Sequence, residues 1–219
     1  MSDVDARLWR ARELIGGVLV PGWAGFHLFE QWSAFGGHRA FAERMTATSH
    51  GAAAIAAEVI FGLAPIVLWI GIEARLRARS REPEELRGAL AESPALANRL
   101  GAISTGASWL FFGWLVFHAV WLFGSKIAEG SDPVRTWLRL RDGLGTWAHA
   151  VPLAIGLSAF SIHVAAAAPR VSAVMGWSRT AESRRAARLA GLIIAVAFLA
   201  LYAELAGWHA AGAGVVWPL

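Results

Sequence analysis

The sequence predicts an all-α integral membrane protein with five transmembrane helices. Hydrophobic residues make up 56% of its 219 residues, and the mean hydropathy is +0.47, whereas soluble domains are usually more polar. A helix needs about 20 apolar residues to cross a bilayer, and five stretches reach this length. They are Leu14–Phe35, Gly51–Ile72, Gly101–Gly124, Trp147–Ala168 and Leu189–Trp208. No change of composition divides the chain, so we expect residues 1–219 to form a single membrane domain.

Two longer connectors separate the predicted spans. Glu73–Leu100 is charged and contains Pro83 and Pro94, which indicates a surface connector with one short amphipathic helix. Ser125–Thr146 indicates a second connector with a helical turn around Trp137. Twelve tryptophans against one tyrosine also favour a membrane protein, because the indole ring suits the membrane interface.

Several classes of protein are excluded by composition. Cysteine is absent, so this chain holds no disulfide, no thiolate-bound iron–sulfur cluster and no covalently attached c-type haem. The arginines flank apolar spans, where they set topology, and therefore do not indicate nucleic-acid binding. The chain opens with the acids Asp3 and Asp5 and lacks a clear small-residue cleavage site, so we expect the first span to be retained.

Basic residues are distributed unevenly between the two sides of the predicted bundle. If the spans alternate in direction, fourteen of the 20 lysines and arginines fall on the side of the N-terminus, and six fall on the other side. Positive charge remains on the cytoplasmic side of membrane proteins. The N-terminus is therefore expected in the cytoplasm and the C-terminus outside.

Two histidines lie at the same depth inside predicted spans, where ionisable residues usually face the interior of the bundle. His27 lies 8 residues from the outer end of span one, and His118 lies 6 residues from the outer end of span three. At the rise of an α-helix, both lie roughly 9 to 12 Å deep. A haem iron with two axial histidines requires imidazoles placed in this way. The alternative is that the two histidines join helices by hydrogen bonds.

A third histidine, His163, lies deeper, 16 residues from the outer end of span four. The residue at matching depth on span two is Trp69, whose indole nitrogen only donates and cannot bind iron. His163 therefore has two interpretations, a hydrogen bond between helices or a contact to an inner haem or quinone.

Four groups of short motifs follow one another along the spans. Span one has Arg10-Ala11-Arg12 and Phe26-His27-Leu28, and span two has Glu58-Val59-Ile60-Phe61 and Ala64-Pro65-Ile66-Val67-Leu68. Span three has Arg99, Thr105-Gly106 and Val116-Phe117-His118, and span four has Phe160-Ser161-Ile162-His163 followed by Met175-Gly176-Trp177. This ordered set, from about Arg7 to Tyr202, resembles the five-helix, di-haem cytochrome b membrane anchor of succinate dehydrogenase and fumarate reductase.

The resemblance implies a haem-binding bundle formed by the first four spans. Each span of that family contributes one histidine, and span one pairs with span three and span two with span four. Here the second ligand position is Trp69, so we expect one haem b with its iron on His27 and His118, and an inner site that is lost or altered. A second haem b, on His163, is the other outcome. Ser161 replaces a glutamate that some members use for proton passage, and Thr105-Gly106 lies two residues further from its histidine than the family spacing implies.

Acidic residues near the predicted haem indicate a quinone site. Glu30 lies one turn outward from His27 on the same helical face, and Glu58 lies in the outer third of span two. His50, His149 and Glu43 complete a polar cluster that can exchange protons with a quinone. The acids can equally be structural residues. A second quinone site is expected at the cytoplasmic end, around Arg12, Trp69, Ser104 and His163.

By this resemblance the chain is an electron-carrying subunit of a succinate:quinone oxidoreductase in the respiratory chain and tricarboxylic acid cycle. It is expected in a bacterial inner membrane, between an iron–sulfur subunit and membrane quinone, in a complex that can form higher oligomers. Dicarboxylate chemistry would take place on a flavoprotein partner, so the chain alone would not be an enzyme. One alternative is a haem-free structural anchor that docks the soluble subunits and binds quinone. Another is a small transporter, although the chain has no repeated half.

Overall fold

Every long secondary-structure element that the structure describes is a helix. The computed structural model describes residues 3–31, 33, 39–40, 42–44, 56–79, 82–129 and 147–210. For residues 27–31, 58, 79, 118–129, 147–150 and 205–210 it describes only the backbone. The helices are α1 (Asp3–Leu14), a first π-helical turn (Ile15–Leu19), α2 (Val20–Gln31), a second π-helical turn (Glu58–Leu63), α3 (Ala64–Arg79), α4 (Glu84–Leu90), α5 (Pro94–Glu129), α6 (Trp147–Val174) and α7 (Ala181–Ala210).

Four helical segments among the described residues are long and apolar enough to cross a membrane. These segments are Val59–Ala78, Pro94–Phe117, Val151–Val174 and Ala181–Glu204. They correspond to the second to fifth predicted spans, so the prediction of an all-α, multi-pass membrane protein is confirmed to this extent. The region predicted as span one is helical as far as Gln31 but is not one of the four, and the count of five spans stays a prediction.

The outer surface of these helices is apolar, as expected for a protein surrounded by lipid. On α7, the side chains of Leu192, Ile193 and Val196 are 55%, 59% and 57% exposed. Soluble monomers rarely expose continuous apolar surface of this kind. In a bilayer the surrounding solvent is hydrocarbon, so the same surface carries no such cost.

The bundle is organised around α6. Helices α5 and α7 pack along α6, and α1 and the first π-helical turn also contact it. The main core contains Val20, Ile66, Trp69, Phe112 and Phe160, all of which are at most 2% exposed. A smaller core beneath α4 contains Trp9, Leu76 and Leu86. We call the end of the bundle that contains this smaller core the Arg12 end.

The connector between the second and third spans contains the short helix that the sequence predicts. This helix, α4, buries Leu86, Ala89 and Leu90. The connector is shorter than Glu73–Leu100, because α3 continues to Arg79 and α5 already begins at Pro94. The extension of α3 is stabilised by an ion pair between Glu73 and Arg77, one helical turn apart. The helical turn predicted around Trp137 lies outside the described residues.

The exit from α6 lies at Met175-Gly176-Trp177, beyond the predicted end of span four at Ala168. Gly176 has a φ of +73°, a conformation that glycine adopts without steric cost, and the amide of Trp177 donates to the carbonyl of Ser172 at 2.8 Å. Thr180 and Ser183 then cap the start of α7, each accepting a hydrogen bond from the backbone amide of the other. The chain therefore reverses between α6 and α7 through a fixed turn.

Candidate functional site

The residues predicted to hold the outer haem and its quinone lie on helical backbone. His27 and Glu30 belong to α2, Glu58 to the second π-helical turn, His118 to α5 and His149 to α6. Their side chains lie outside the described part of the structure, as does His50. The outer site therefore stays a prediction, and the described geometry concerns the inner half of the bundle.

His163 connects three segments of the bundle through both of its ring nitrogens. Nε2 donates to the carbonyl oxygen of Gly16 at 2.7 Å, and Nδ1 lies 2.7 Å from Ser108 Oγ. The hydroxyl of Ser108 also lies 2.7 Å from the carbonyl oxygen of Ser104, and its single proton serves one acceptor at a time. His163 is only 4% exposed, so these contacts satisfy a polar ring inside an apolar core.

The carbonyl that accepts from His163 is available because of a proline. Pro21 stands five residues after Gly16 and has no N–H, while the amide of Val20 donates to Ile15 instead. Gly16 therefore has no donor from the next helical turn, and His163 supplies one. The second π-helical turn precedes Pro65 in the same way, with the amide of Ala64 donating to Val59. These wide turns were not predicted from the sequence. The signal for them in the sequence is a proline inside an apolar span.

Trp69 fills the space beside His163. Its ring is fully buried, stacks on Phe112 with centroids 4.0 Å apart, and meets the His163 ring edge-on with centroids 6.3 Å apart. A Cβ atom on Gly16 would lie only 2.5 Å from the indole Nε1. Span one can therefore approach Trp69 this closely only with glycine at position 16.

An inner haem does not fit this arrangement. Iron would need a ring nitrogen of His163, and both are already held by Gly16 and Ser108. The rings of Phe111 and Phe112 also pack against the imidazole, with centroids 6.0 and 5.5 Å from that of His163. The residues named from the sequence for an inner quinone site do come together, and Arg12, Trp69, Ser104 and His163 are all at most 4% exposed.

The role of Ser108 can be tested against a second buried serine. Ser108→Ala removes the partner of His163 Nδ1 and should cost about 1–2 kcal/mol of unfolding free energy. Ser161→Ala is the matched control, because Ser161 Oγ is buried without a hydrogen-bond partner among the described residues. That substitution should be neutral or slightly stabilising. Unfolding in mixed micelles, followed by circular dichroism, measures both; equal losses in the two variants would contradict the role assigned to Ser108.

A buried ionic cluster lies directly below Trp69. Arg12 donates through Nε to Glu73 at 2.7 Å, and its Nη1 pairs with Glu13. Arg77 Nε donates to the other oxygen of Glu73 at 2.7 Å. Arg170 pairs with Glu82 and lies 3.9 Å from Glu13. The cluster joins α1, α3, α6 and the connector before α4. Arg12 was predicted from the sequence to lie at an inner quinone site, whereas Glu13, Glu73 and Arg170 were given no functional role.

Aromatic rings and charges together hold Arg12 in place. Its guanidinium carbon lies 5.4 Å from the centroid of the Trp69 ring and 5.7 Å from that of Trp9. Burial alone lowers the pKa of Arg12, but the charges of Glu13 and Glu73 outweigh it and raise the pKa above its usual value. Arg12 therefore stays charged and needs its carboxylates. Burial has the stronger effect on Glu82, whose pKa is raised despite the neighbouring Arg170.

Comparison with protein-family models, curated proteins and solved structures found no match to this chain. Among the described residues, no group of three or more His, Cys, Asp or Glu side chains is placed to hold a metal ion. The function of the protein is therefore inferred from the chain's own residues.

Proposed function

We propose that this chain is the membrane-anchor cytochrome b subunit of a succinate:quinone oxidoreductase, with one haem b on His27 and His118. The observation that carries the proposal is the matching depth of these two histidines on two different predicted spans. Helical backbone at both positions and four helices of membrane-spanning length support it. The complex would be a succinate dehydrogenase or fumarate reductase in a bacterial inner membrane, with the N-terminus of this chain in the cytoplasm.

Each group of residues has a separate task in this proposal. Haem b, when bound, supplies one-electron redox chemistry between the iron–sulfur subunit and quinone. His27 and His118 would hold the iron, and the flavoprotein subunit would carry out the dicarboxylate chemistry. Glu30, Glu58 and His149 would exchange protons with quinone near the outer end of the bundle. Electron and proton transfer to quinone would thus meet at the outer half of the membrane.

The described inner half favours one haem over two. His163 already has hydrogen-bond partners on both ring nitrogens, and Trp69 occupies the position from which a second ligand would come. In this proposal the inner half serves as a rigid support rather than as a second redox centre. Electrons from the iron–sulfur subunit would then have to reach the outer haem without an inner one.

The test is a pyridine haemochrome assay on the purified complex, with haem counted per chain. We expect one b-type haem, lost in His27→Ala and in His118→Ala. His163→Gln should keep its haem, because His163 makes no iron contact in the proposal. Two haems per chain would contradict the role given to Trp69, and a complex without haem would contradict the cytochrome assignment.

A haem-free anchor that docks the soluble subunits and binds quinone is the second candidate. The observation that favours it is His163 itself, an intramembrane histidine of this chain whose contacts in the structure are all structural. His27 and His118 could join helices in the same way. Co-purification of flavin without a reduced-minus-oxidised haem spectrum would select this candidate.

A further inference from the structure

A cleft of about 520 Å³ opens at the Arg12 end, between α1, the end of α3, α4 and the start of α5. Its lining includes Trp9, Arg77, Arg87, Asn98, Thr105 and Gly106. Trp9 is buried, whereas Arg77, Asn98 and Gly106 are exposed, so the cleft has an aromatic wall and an open rim. Neither the proposed haem site nor the proposed outer quinone site uses these residues.

The ionic cluster and the adjoining wall of the cleft together contain four arginines and three carboxylates that form ion pairs. In the ionic cluster, Arg12, Arg77 and Arg170 are matched by Glu13, Glu73 and Glu82. Arg87 is a fourth cation on the wall of the cleft. Its Nε is buried and has no hydrogen-bond partner among the described residues. Glu82, which pairs with Arg170, also lies close enough to Arg87 to feel its charge, and an anion in the cleft would complete the charge balance of the two guanidinium groups.

The position of the cleft indicates the source of such an anion. Arg77 lies at the end of the apolar segment Val59–Ala78, and Asn98 lies one turn into the segment Pro94–Phe117. The cleft is therefore level with the lipid headgroups, where basic residues meet anionic lipids. The exposed positions Ala102 and Gly106 extend its lining along the apolar surface of α5, which suits an attached acyl chain better than a free ion.

We propose that this cleft binds the phosphate group of an anionic phospholipid, with Arg87 as its principal hydrogen-bond donor. The glycerol backbone would lie near Trp9 and Thr105, and the acyl chains would leave along α5 past Gly106. The bound lipid would neutralise the remaining charge and fill the space between α1 and α5.

Two substitutions test the cleft in different ways. Gly106→Leu fills it without changing any charge, because a Cβ at Gly106 meets no atom within 4 Å. Gly113→Leu is its matched control on the same helix, with equally open surroundings but outside the cleft. Arg87→Gln removes the charge, and Arg75→Gln removes an exposed charge on α3 that does not line the cleft.

The measurement is native mass spectrometry of the full chain in detergent, titrated with phosphatidylglycerol, phosphatidylcholine or inorganic phosphate. We expect one tightly retained phosphatidylglycerol, with affinity about tenfold weaker in Arg87→Gln, as loss of a charge-assisted hydrogen bond predicts. We expect a comparable loss in Gly106→Leu, because the added side chain occupies the cleft. Gly113→Leu and Arg75→Gln should bind like the parent chain. Circular dichroism of each variant distinguishes the loss of lipid binding from misfolding. The haem content distinguishes it from failure of the cytochrome proposal.

Equal retention of phosphatidylglycerol by Gly106→Leu and Gly113→Leu would overturn the proposal. Equal affinity for phosphatidylcholine and phosphatidylglycerol would also overturn it, because the anionic headgroup would then not be recognised. Inorganic phosphate that binds alone, with the same dependence on Arg87, would keep the phosphate chemistry but overturn the lipid as its source.

Discussion

Replacing Glu73 with glutamine should destabilise the protein by about 3–5 kcal/mol, the cost typical of breaking a buried ion pair from one side. The carboxylate of Glu73 is fully buried and accepts from both Arg12 and Arg77. Glutamine has nearly the same shape but no charge, so Arg12 would remain charged with only Glu13 beside it. Unfolding in mixed micelles, followed by circular dichroism, measures the loss.

The matched control for Glu73→Gln is Glu92→Gln. Glu92 also contacts two arginines, with 3.3 Å from its carboxylate to Arg185 and 3.6 Å to Arg188, but its side chain is 57% exposed. An exposed ion pair contributes roughly 0–1 kcal/mol, so this variant should unfold almost like the parent chain. Similar losses in the two variants would mean that burial does not set the strength of the ionic cluster.

Much of the fold follows from local composition. The apolar segments that became the second π-helical turn with α3, and α5, α6 and α7, reach the length of a span, and hydropathy alone locates them. The short helix α4 was also predicted, because a charged connector between prolines is a local signal. The helix ends were less accurate, since charged residues such as Glu73 and Arg77 continue α3 beyond its apolar part.

The contacts of the inner half were not predictable in the same way. A helix that is apolar on every side gives little indication of which face is turned inward. The sequence placed Trp69 level with His163, and the two rings do meet, but it did not indicate that Gly16 and Ser108 would occupy both nitrogens of His163. Those contacts depend on how the first π-helical turn, α5 and α6 pack together.

The ionic cluster shows a further limit of sequence analysis. Arg12, Glu73 and Arg170 are far apart in the chain and lie at the ends of different helices. Each one separately resembles an ordinary charged residue that anchors a span at the headgroups. Only the packing of α1, α3 and α6 brings Arg12 within hydrogen-bond distance of Glu73, places Arg170 3.9 Å from Glu13 and removes these residues from water.

Replacing Gly16 with alanine should cost about 1–3 kcal/mol, although alanine favours helices more than glycine does. The added Cβ would lie 2.5 Å from Nε1 and 2.8 Å from Cδ1 of Trp69. The Trp69 ring cannot turn away, because it is fully buried and stacked on Phe112. Gly71→Ala in α3 is the control, since a Cβ there meets nothing within 4 Å, and it should stabilise the helix slightly.

A double-mutant cycle that combines Gly16→Ala with Trp69→Phe tests whether the contact between positions 16 and 69 stabilises the inner half of the bundle. Phenylalanine is smaller than tryptophan, so Trp69→Phe alone should destabilise the core by leaving a cavity. In the double variant the new methyl group of Ala at position 16 would occupy part of that space. The double variant should therefore lose less unfolding free energy than the sum of the losses in the two single variants. Losses that add within about 0.5 kcal/mol would mean that positions 16 and 69 are uncoupled. The close approach of span one to Trp69 would then not be what stabilises the inner half of the bundle.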